Sequence, residues 1–128
     1  FQPDEKLPEI YAGARAFIFP GIDDFGIAPV EAMSFGVPVL AIRQGGVQEI
    51  IVEGKTGEFF EEAAPENIID SVKNFIEKEK QYDKEFIKDR AGEFSKERFK
   101  KEMGEFVDKI YCHSERSGAE SKNLPLIV

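Results

Sequence analysis

A short acidic segment next to a predicted helix start carries the residue types most suited to chemistry. Asp23 and Asp24 follow an apolar run, and Gly26 stands just before the helix. The backbone N–H groups at that helix start, from about Gly26 to Ala28, have no partners within the helix and form a site for an anion. Glu31 lies in the first turns of the same helix, where its carboxylate gains from the helix dipole.

Carboxylates beside an anion site suit a ligand that has both phosphate and hydroxyl groups. A carboxylate accepts hydrogen bonds from sugar hydroxyls, each worth about 1.5–3 kcal/mol, and the N–H groups bind the phosphate. A nucleotide sugar is such a ligand. Spacing alone leaves a plainer interpretation open, in which Asp23 and Asp24 are turn residues and Glu31 is a surface or capping carboxylate.

The composition argues against several other classes of protein. The 128 residues make at most one domain, and 17 Lys and Arg against 25 Asp and Glu give a net charge of −8. This charge disfavours general binders of nucleic acid or of anionic membranes. One cysteine, Cys112, and one histidine, His113, are too few for a structural zinc site and argue against a Ser-His-Asp mechanism. A lone cysteine fits a reducing, cytoplasmic location.

The elements that position these residues follow from hydrophobic periodicity. Short apolar runs predict strands at 16–19, 38–42 and 58–60, the first two buried on both faces. The helices predicted are 4–14 with Asp4 as N-cap, 28–35, 48–52, 65–80, 83–91, and 95–111 with Ser95 as N-cap. Alternating strands and helices predict an α/β fold, a Rossmann-like parallel sheet with flanking helices. Ligands bind such sheets beyond the carboxyl ends of the strands, where loops 20–27 and 43–46 fall.

The predicted sheet is thin, and the end of the chain differs from the rest. Doubly wound domains usually have about five or six strands, so we expect an N-terminal part of the fold to lie outside this sequence. Residues 112–128 are Ser-rich without periodicity, which predicts a flexible tail that includes Cys112 and His113. We therefore divide the chain into a partial domain, 1–111, and a tail, 112–128.

One segment, PGIDDFGIAPVEAMSFGVPVLAIRQGGVQEIIVEGKTGEFF, resembles the nucleotide-sugar-binding half of retaining GT-B glycosyltransferases of family 4. The family signature has two Glu residues separated by seven others, followed by Gly-x-Pro-Val and Gly-Gly-x-x-Glu. The matching positions here are Asp23, Glu31, Gly36 to Val39, Gly45, Gly46 and Glu49. The resemblance covers about residues 4–111, and the wording Asp-Phe-Gly-Ile-x-Pro-Val-Glu looks most like the mannosyltransferases. It implies a partial C-terminal, donor-binding domain of a GT-B fold.

The resemblance implies a role for each matching residue. Asp23 matches the catalytic acid that faces the transferred sugar, although the family has the longer Glu there and Asp reaches about 1.5 Å less. Glu31 matches the acid that binds the ribose hydroxyls. The stretch from Phe25 to Ile27 matches the backbone that faces the sugar and the diphosphate. The implied donor-binding residues are Asp23, Asp24, Phe25, Gly26, Ile27, Val30 and Glu31, and Val30 packs either on the nucleotide or in the core.

The implied reaction transfers a hexose, such as mannose from GDP-mannose, to an acceptor hydroxyl with retained configuration and without a metal or other cofactor. The acceptor, a glycan or a lipid-linked glycan, would bind an N-terminal domain, and the complete protein would be cytoplasmic or peripheral to the inner face of the membrane. The family's phosphate-neutralising basic pair precedes the matched segment, and Arg43 and Lys55 do not stand at matching positions. We therefore expect this chain to be inactive alone.

Other classes of protein are distinguished by the features that each would require of the sequence. A receiver-like signalling domain needs an acid at the end of the following strand, which here reads Ala41-Ile42-Arg43. A sugar-nucleotide epimerase of the GT-B fold does not have this form of the signature sequence. A truncated, inactive remnant or an interaction module stays open, and nucleotide binding would distinguish it. The last helix places Phe99 and Phe106 on one face, which packs on its own domain or promotes self-association.

Overall fold

Three parallel strands organise the first of the two units into which the chain divides. The computed structural model describes residues 3–116, and the boundary between the units lies between Phe94 and Ser95. The elements in chain order are α1 (Leu7–Gly13), β1 (Phe17–Phe19), α2 (Ile27–Ser34), β2 (Val39–Ile42), α3 (Val47–Ile50), β3 (Gly57–Phe60), α4 (Pro65–Lys78), α5 (Lys84–Gly92) and α6 (Lys96–Arg116). Short 3-10 turns at Asp4–Lys6 and Glu79–Gln81 precede α1 and follow α4.

The sheet has the order β1-β2-β3 with both pairings parallel. Ile18 lies opposite Leu40, and Leu40 lies opposite Glu58. This confirms the predicted α/β fold with a Rossmann-like parallel sheet and flanking helices. Because all three strands run the same way, their carboxyl ends meet at one edge of the sheet, and the loops that follow β1 and β2 begin there.

The hydrophobic core lies on both faces of β2, whose four residues are all buried. Successive strand residues point to opposite faces. Val39 and Ala41 join one cluster with residues of α1, α2, α3 and α5, namely Tyr11, Ala32, Met33, Val47, Ile50, Ile87 and Ala91. Leu40 and Ile42 join a second cluster that includes Phe60 and Phe75. Helices therefore cover both faces of the sheet.

The prediction that β1 is buried on both faces is wrong. Ile18 is 43% exposed, and Phe17 and Phe19 are only half-buried. The reason is the strand order, since β1 lies at one edge of the sheet that the structure describes. A run of apolar residues indicates that a strand is hydrophobic, but it does not indicate whether the strand lies at the centre or at the edge of the sheet.

The predicted helices are present, with shifted ends. The first begins at Leu7 rather than at Asp4, and Lys6 stands at its N-cap position. The last continues to Arg116, five residues past the predicted end at Tyr111, so Cys112 and His113 belong to it. The remainder of the predicted tail, 117–128, lies outside the described residues, and its flexibility stays a prediction.

The second unit consists, in its described part, of α6. The Ser95 hydroxyl accepts a hydrogen bond from the Arg98 backbone N–H at 3.4 Å, which confirms the predicted N-cap. The apolar residues of this helix are exposed, with Phe99 at 62% and Phe106 at 60%. Within residues 3–116, no helix combines the length and the apolarity that a membrane span requires.

Candidate functional site

The loops that follow β1 and β2 meet at the carboxyl edge of the sheet. The Gly46 backbone N–H donates to the Asp23 carbonyl oxygen at 2.9 Å, and this bond ties the second loop to the first. The structure thus brings together the two loops that the sequence singled out. The side chains of Asp23 and Asp24 are exposed at this edge.

Glycine is required where the two loops pack. A side-chain carbon on Gly46 would overlap the Asp24 carbonyl oxygen and would lie 2.7 Å from that of Phe25. A carbon on Gly45, whose φ is +73°, would overlap the Asp23 carbonyl oxygen. The sequence suggested that these glycines let backbone approach a ligand. In the structure, the backbone that they approach is that of the acidic loop.

Gly26 makes the turn from the acidic loop into α2. Its φ of +92° is left-handed, a conformation that other residues rarely adopt. A side-chain carbon here would also lie 3.2 Å from Val47 and 3.3 Å from Ile50, both in α3. The N-terminus of α2 is thereby fixed against α3, and its first N–H groups have no partners within the helix. On either side of Gly26, Phe25 is 47% exposed and Ile27 is 72% exposed.

Arg90 of α5 and the ring of Phe94, which follows α5, support the acidic loop. The Phe25 ring meets the edge of Phe94 at 6.0 Å between centroids. The Arg90 guanidinium lies 5.0 Å from the Phe94 ring centroid, and its Nε donates to the Ile50 carbonyl oxygen at 3.0 Å. Arg90 also donates to the Glu49 carbonyl oxygen. The sequence alone does not identify this contact, because Arg90 is one of many charged residues in its helix and its spacing does not distinguish it from the others.

Glu31 has a specific partner from α1. The Tyr11 hydroxyl donates to Glu31 Oε2 at 3.1 Å. Burial raises the pKa of Tyr11, and the neighbouring Glu31 carboxylate raises it further. The sequence places Tyr11 only on an apolar helix face. The spacing of the residues does not indicate its hydrogen bond to Glu31, which lies 20 positions further along the chain.

The remaining residues near the site have partners within the protein. Val30 is half-buried against the core cluster of α2 and α5, which favours the core alternative for it. Arg43 donates to Glu61 Oε1 at 2.8 Å, pairs with Glu53 and lies 4.5 Å from the Phe59 ring centroid. Among residues 3–116, no group of three or more His, Cys, Asp or Glu side chains is arranged to hold a metal ion.

Comparison with known proteins relates most of the chain to one family, described as Glycosyl transferases group 1, which matches residues 1–91. O-antigen chain mannosyltransferase B of Escherichia coli is 42% identical over 52 residues, which are 40% of this chain and 14% of that protein. D-inositol 3-phosphate glycosyltransferase of Corynebacterium urealyticum is 29% identical over 122 residues, 93% of this chain and 29% of that protein.

The name of a third relative states its sugar donor. The GDP-mannose-dependent alpha-(1-6)-phosphatidylinositol monomannoside mannosyltransferase of Mycolicibacterium smegmatis is 40% identical over 63 residues, 43% of this chain and 16% of that protein. The chain thus spans less than a third of the length of each of these three relatives.

The packing of the two loops predicts the effect of substituting Gly46. Its φ of −65° suits any residue, so Gly46→Ala adds only the overlap with the acidic loop. We expect a loss of about 1–3 kcal/mol in the free energy of unfolding, measured by urea denaturation, with amide shifts in NMR spectra concentrated at 23–26. Gly92→Ala is the matched control, because no atom other than those of its chain neighbours and of the nearby backbone of its own helix lies within 4 Å of the added carbon. Equal effects of the two substitutions would contradict the packing argument.

Proposed function

Because the chain belongs to the family of group 1 glycosyl transferases, we propose that it is the donor-binding part of a retaining glycosyltransferase. In this proposal the enzyme transfers a hexose from a nucleotide sugar to an acceptor hydroxyl. The observation that carries the proposal is the meeting of an exposed acidic loop and a glycine-capped helix start, held by the Gly46 to Asp23 bond. Both kinds of group that a nucleotide sugar needs are present at one edge of the sheet.

The proposed binding mode assigns each part of the donor to a different group. The diphosphate lies at the N-terminus of α2, where the N–H groups from Gly26 to Ala28 bind its oxygens. Glu31 accepts hydrogen bonds from the ribose hydroxyls, and Asp23 accepts from a hydroxyl of the transferred sugar. The exposure of Asp23, Phe25 and Ile27 supports this mode, because a ligand can reach all three.

In the proposed reaction, the bond from the anomeric carbon to the diphosphate breaks, and the diphosphate leaves with the electron pair. The acceptor oxygen bonds to the same carbon on the same face, and its proton passes to an oxygen of the departing diphosphate. The helix dipole and the N–H groups of α2 stabilise the charge that develops on the leaving group. Asp23 is the proposed catalytic residue, because its hydrogen bond to the sugar fixes the anomeric carbon relative to the diphosphate.

The names of relatives support mannose as the transferred sugar. Two of the relatives described above are mannosyltransferases by name, and one is GDP-mannose-dependent. We therefore propose GDP-mannose as the donor, with no metal or other cofactor. The proposed acceptor is a glycan or a lipid-linked glycan, bound by an N-terminal domain. The proposed location of the complete protein is the cytoplasm or the inner face of the membrane.

The proposal includes that this chain alone does not complete the transfer. Arg43 and Lys55 follow the acidic loop in the chain, but both contact other residues of this protein. Arg43 pairs with Glu53 and Glu61, and the Lys55 ammonium lies 5.6 Å from the Phe86 ring centroid. Neutralising the diphosphate then needs cations from another part of the enzyme. The second candidate function, an inactive remnant or interaction module, is favoured by Asp23, whose carboxylate reaches less far than that of the family's Glu.

Nucleotide binding tests the proposed function directly. We expect GDP and GDP-mannose to shift the amide signals of Gly26, Ile27 and Glu31 in ¹⁵N-labelled chain, with UDP-glucose and ADP-glucose giving smaller shifts. Amides of α4, on the other side of the sheet, serve as the internal control and should not move. If millimolar amounts of all four ligands leave the spectrum unchanged, the donor-binding proposal is wrong and the remnant alternative is favoured.

The proposed role of Asp23 predicts a gain from lengthening its side chain. Asp23→Glu supplies the missing methylene, so we expect GDP-mannose to bind about three- to tenfold more tightly, the range of a single improved hydrogen bond. GDP lacks the sugar, and its affinity should not change. Asp70→Glu, which lengthens an exposed carboxylate of α4, is the matched control and should leave both affinities unchanged. Calorimetric titration measures both ligands, and an equal change for GDP and GDP-mannose would show that Asp23 does not contact the sugar.

The exposed face of α6 supports a proposal of self-association. Phe99, Met103, Phe106 and Ile110 recur at helical spacing and are all exposed. Burying these side chains between two copies would remove apolar surface from water. We expect sedimentation equilibrium to show a concentration-dependent increase in mass that Phe106→Ser weakens and Lys100→Ser does not. A chain that stays monomeric at the highest concentration would contradict the proposal.

A further inference from the structure

The contact between α1 and α2 joins the one buried tyrosine of the described core to the carboxylate proposed to face the ligand. Tyr11 is only 8% exposed, whereas Glu31 is half-exposed beside it. The Tyr11 hydroxyl lies 3.1 Å from Glu31 Oε2. A phenol hydroxyl can donate one hydrogen bond, and a carboxylate can only accept. The direction of this bond is therefore fixed by chemistry.

The tyrosine ring is held by packing that does not involve Glu31. It stacks on Phe35, with 5.2 Å between centroids and 16° between planes. It also meets the edge of Phe17 at 6.2 Å. Phe17 belongs to β1 and Phe35 follows α2, so the ring is fixed between the sheet and the helix that carries Glu31. The hydroxyl consequently has little freedom to move.

The bond leaves one oxygen of Glu31 for a ligand. Among the hydrogen bonds of residues 3–116, Oε2 accepts the bond from Tyr11, and none involves Oε1. A glutamate on a helix surface otherwise samples several rotamers and loses that freedom when it binds. A carboxylate already held by one oxygen has lost most of this freedom before the ligand arrives.

We propose that Tyr11 is a positioning residue, which holds Glu31 so that its second oxygen faces the ribose hydroxyls of a nucleotide. Tyr11 itself touches no ligand in this proposal. The proposal rests on the proposed function, because it assigns a ligand to Glu31. It adds a buried residue of α1, outside the acidic loop, on which the strength of that ribose contact depends.

The test uses Tyr11→Phe, which keeps the packed ring and removes only the hydroxyl. In the chain without ligand, we expect the side-chain couplings of Glu31 in NMR spectra to change from those of a single rotamer to averaged values. With ligand, we expect GDP to bind about three- to tenfold more weakly, because binding must then restrict the rotamers of Glu31. The affinity for 2′,3′-dideoxy-GDP should not change, because that ligand has no hydroxyls for Glu31.

Tyr82→Phe is the matched control. Tyr82 donates to Glu58 Oε1 at 2.6 Å, so the same atom is removed from the same kind of pair. This pair lies away from the site, since Tyr82 lines a cavity with Ala14 and Pro38, which precede β1 and β2. We expect Tyr82→Phe to leave the affinities for GDP and dideoxy-GDP unchanged.

The outcomes separate the two proposals. If the unsubstituted chain binds GDP, and Tyr11→Phe weakens GDP and dideoxy-GDP equally or neither, the positioning role is overturned. Unchanged couplings of Glu31 in Tyr11→Phe would also overturn it. If the unsubstituted chain binds no nucleotide, the proposed function is wrong and the ligand role of Tyr11 is overturned with it, while the couplings still report whether Tyr11 holds Glu31.

Discussion

The contact between two loop backbones at the carboxyl edge of the sheet is the constraint on which the site depends. Gly45 and Gly46 allow the loop after β2 to lie directly on Asp23 and Asp24, without side chains between them. The hydrogen bond from Gly46 to Asp23 fixes the register of this contact. Because α3 begins immediately after Gly46, the same contact places Val47 and Ile50 against Gly26, and so determines where α2 starts.

The site is supported from two further directions. On one side, Arg90 joins α5 to the end of α3 and lies against Phe94, whose edge meets Phe25 of the acidic loop. On the other side, Tyr11 joins α1 to Glu31 of α2. In both cases an aromatic side chain contacts a residue that is more exposed than itself. These contacts support the loops at the exposed carboxyl edge of the sheet, which have no hydrophobic core of their own.

Charge explains why an acidic edge can serve an anionic donor in the proposed function. The diphosphate is assigned to backbone N–H groups at the start of α2, whose partial charges favour an anion, and further cations come from another part of the enzyme in this proposal. The carboxylates are assigned to neutral hydroxyl groups, which they bind more strongly than a neutral acceptor would. Arg43 does not supply a cation to the diphosphate in this proposal, because it pairs with Glu53 and Glu61.

The sequence by itself determined the order and type of the elements, the parallel sheet and the acidic loop as the candidate site. Periodicity and glycine and proline positions are local signals, and they predicted β2 as a strand buried on both faces and Ser95 as an N-cap correctly. Tertiary structure alone decided that β1 lies at an edge, that Gly46 packs on Asp23, and that Tyr11 donates a hydrogen bond to Glu31. These facts depend on which residues distant in the chain become neighbours. No local pattern encodes these long-range contacts, because a glycine, an aromatic residue or a charged residue with different neighbours would give the same hydrophobic periodicity.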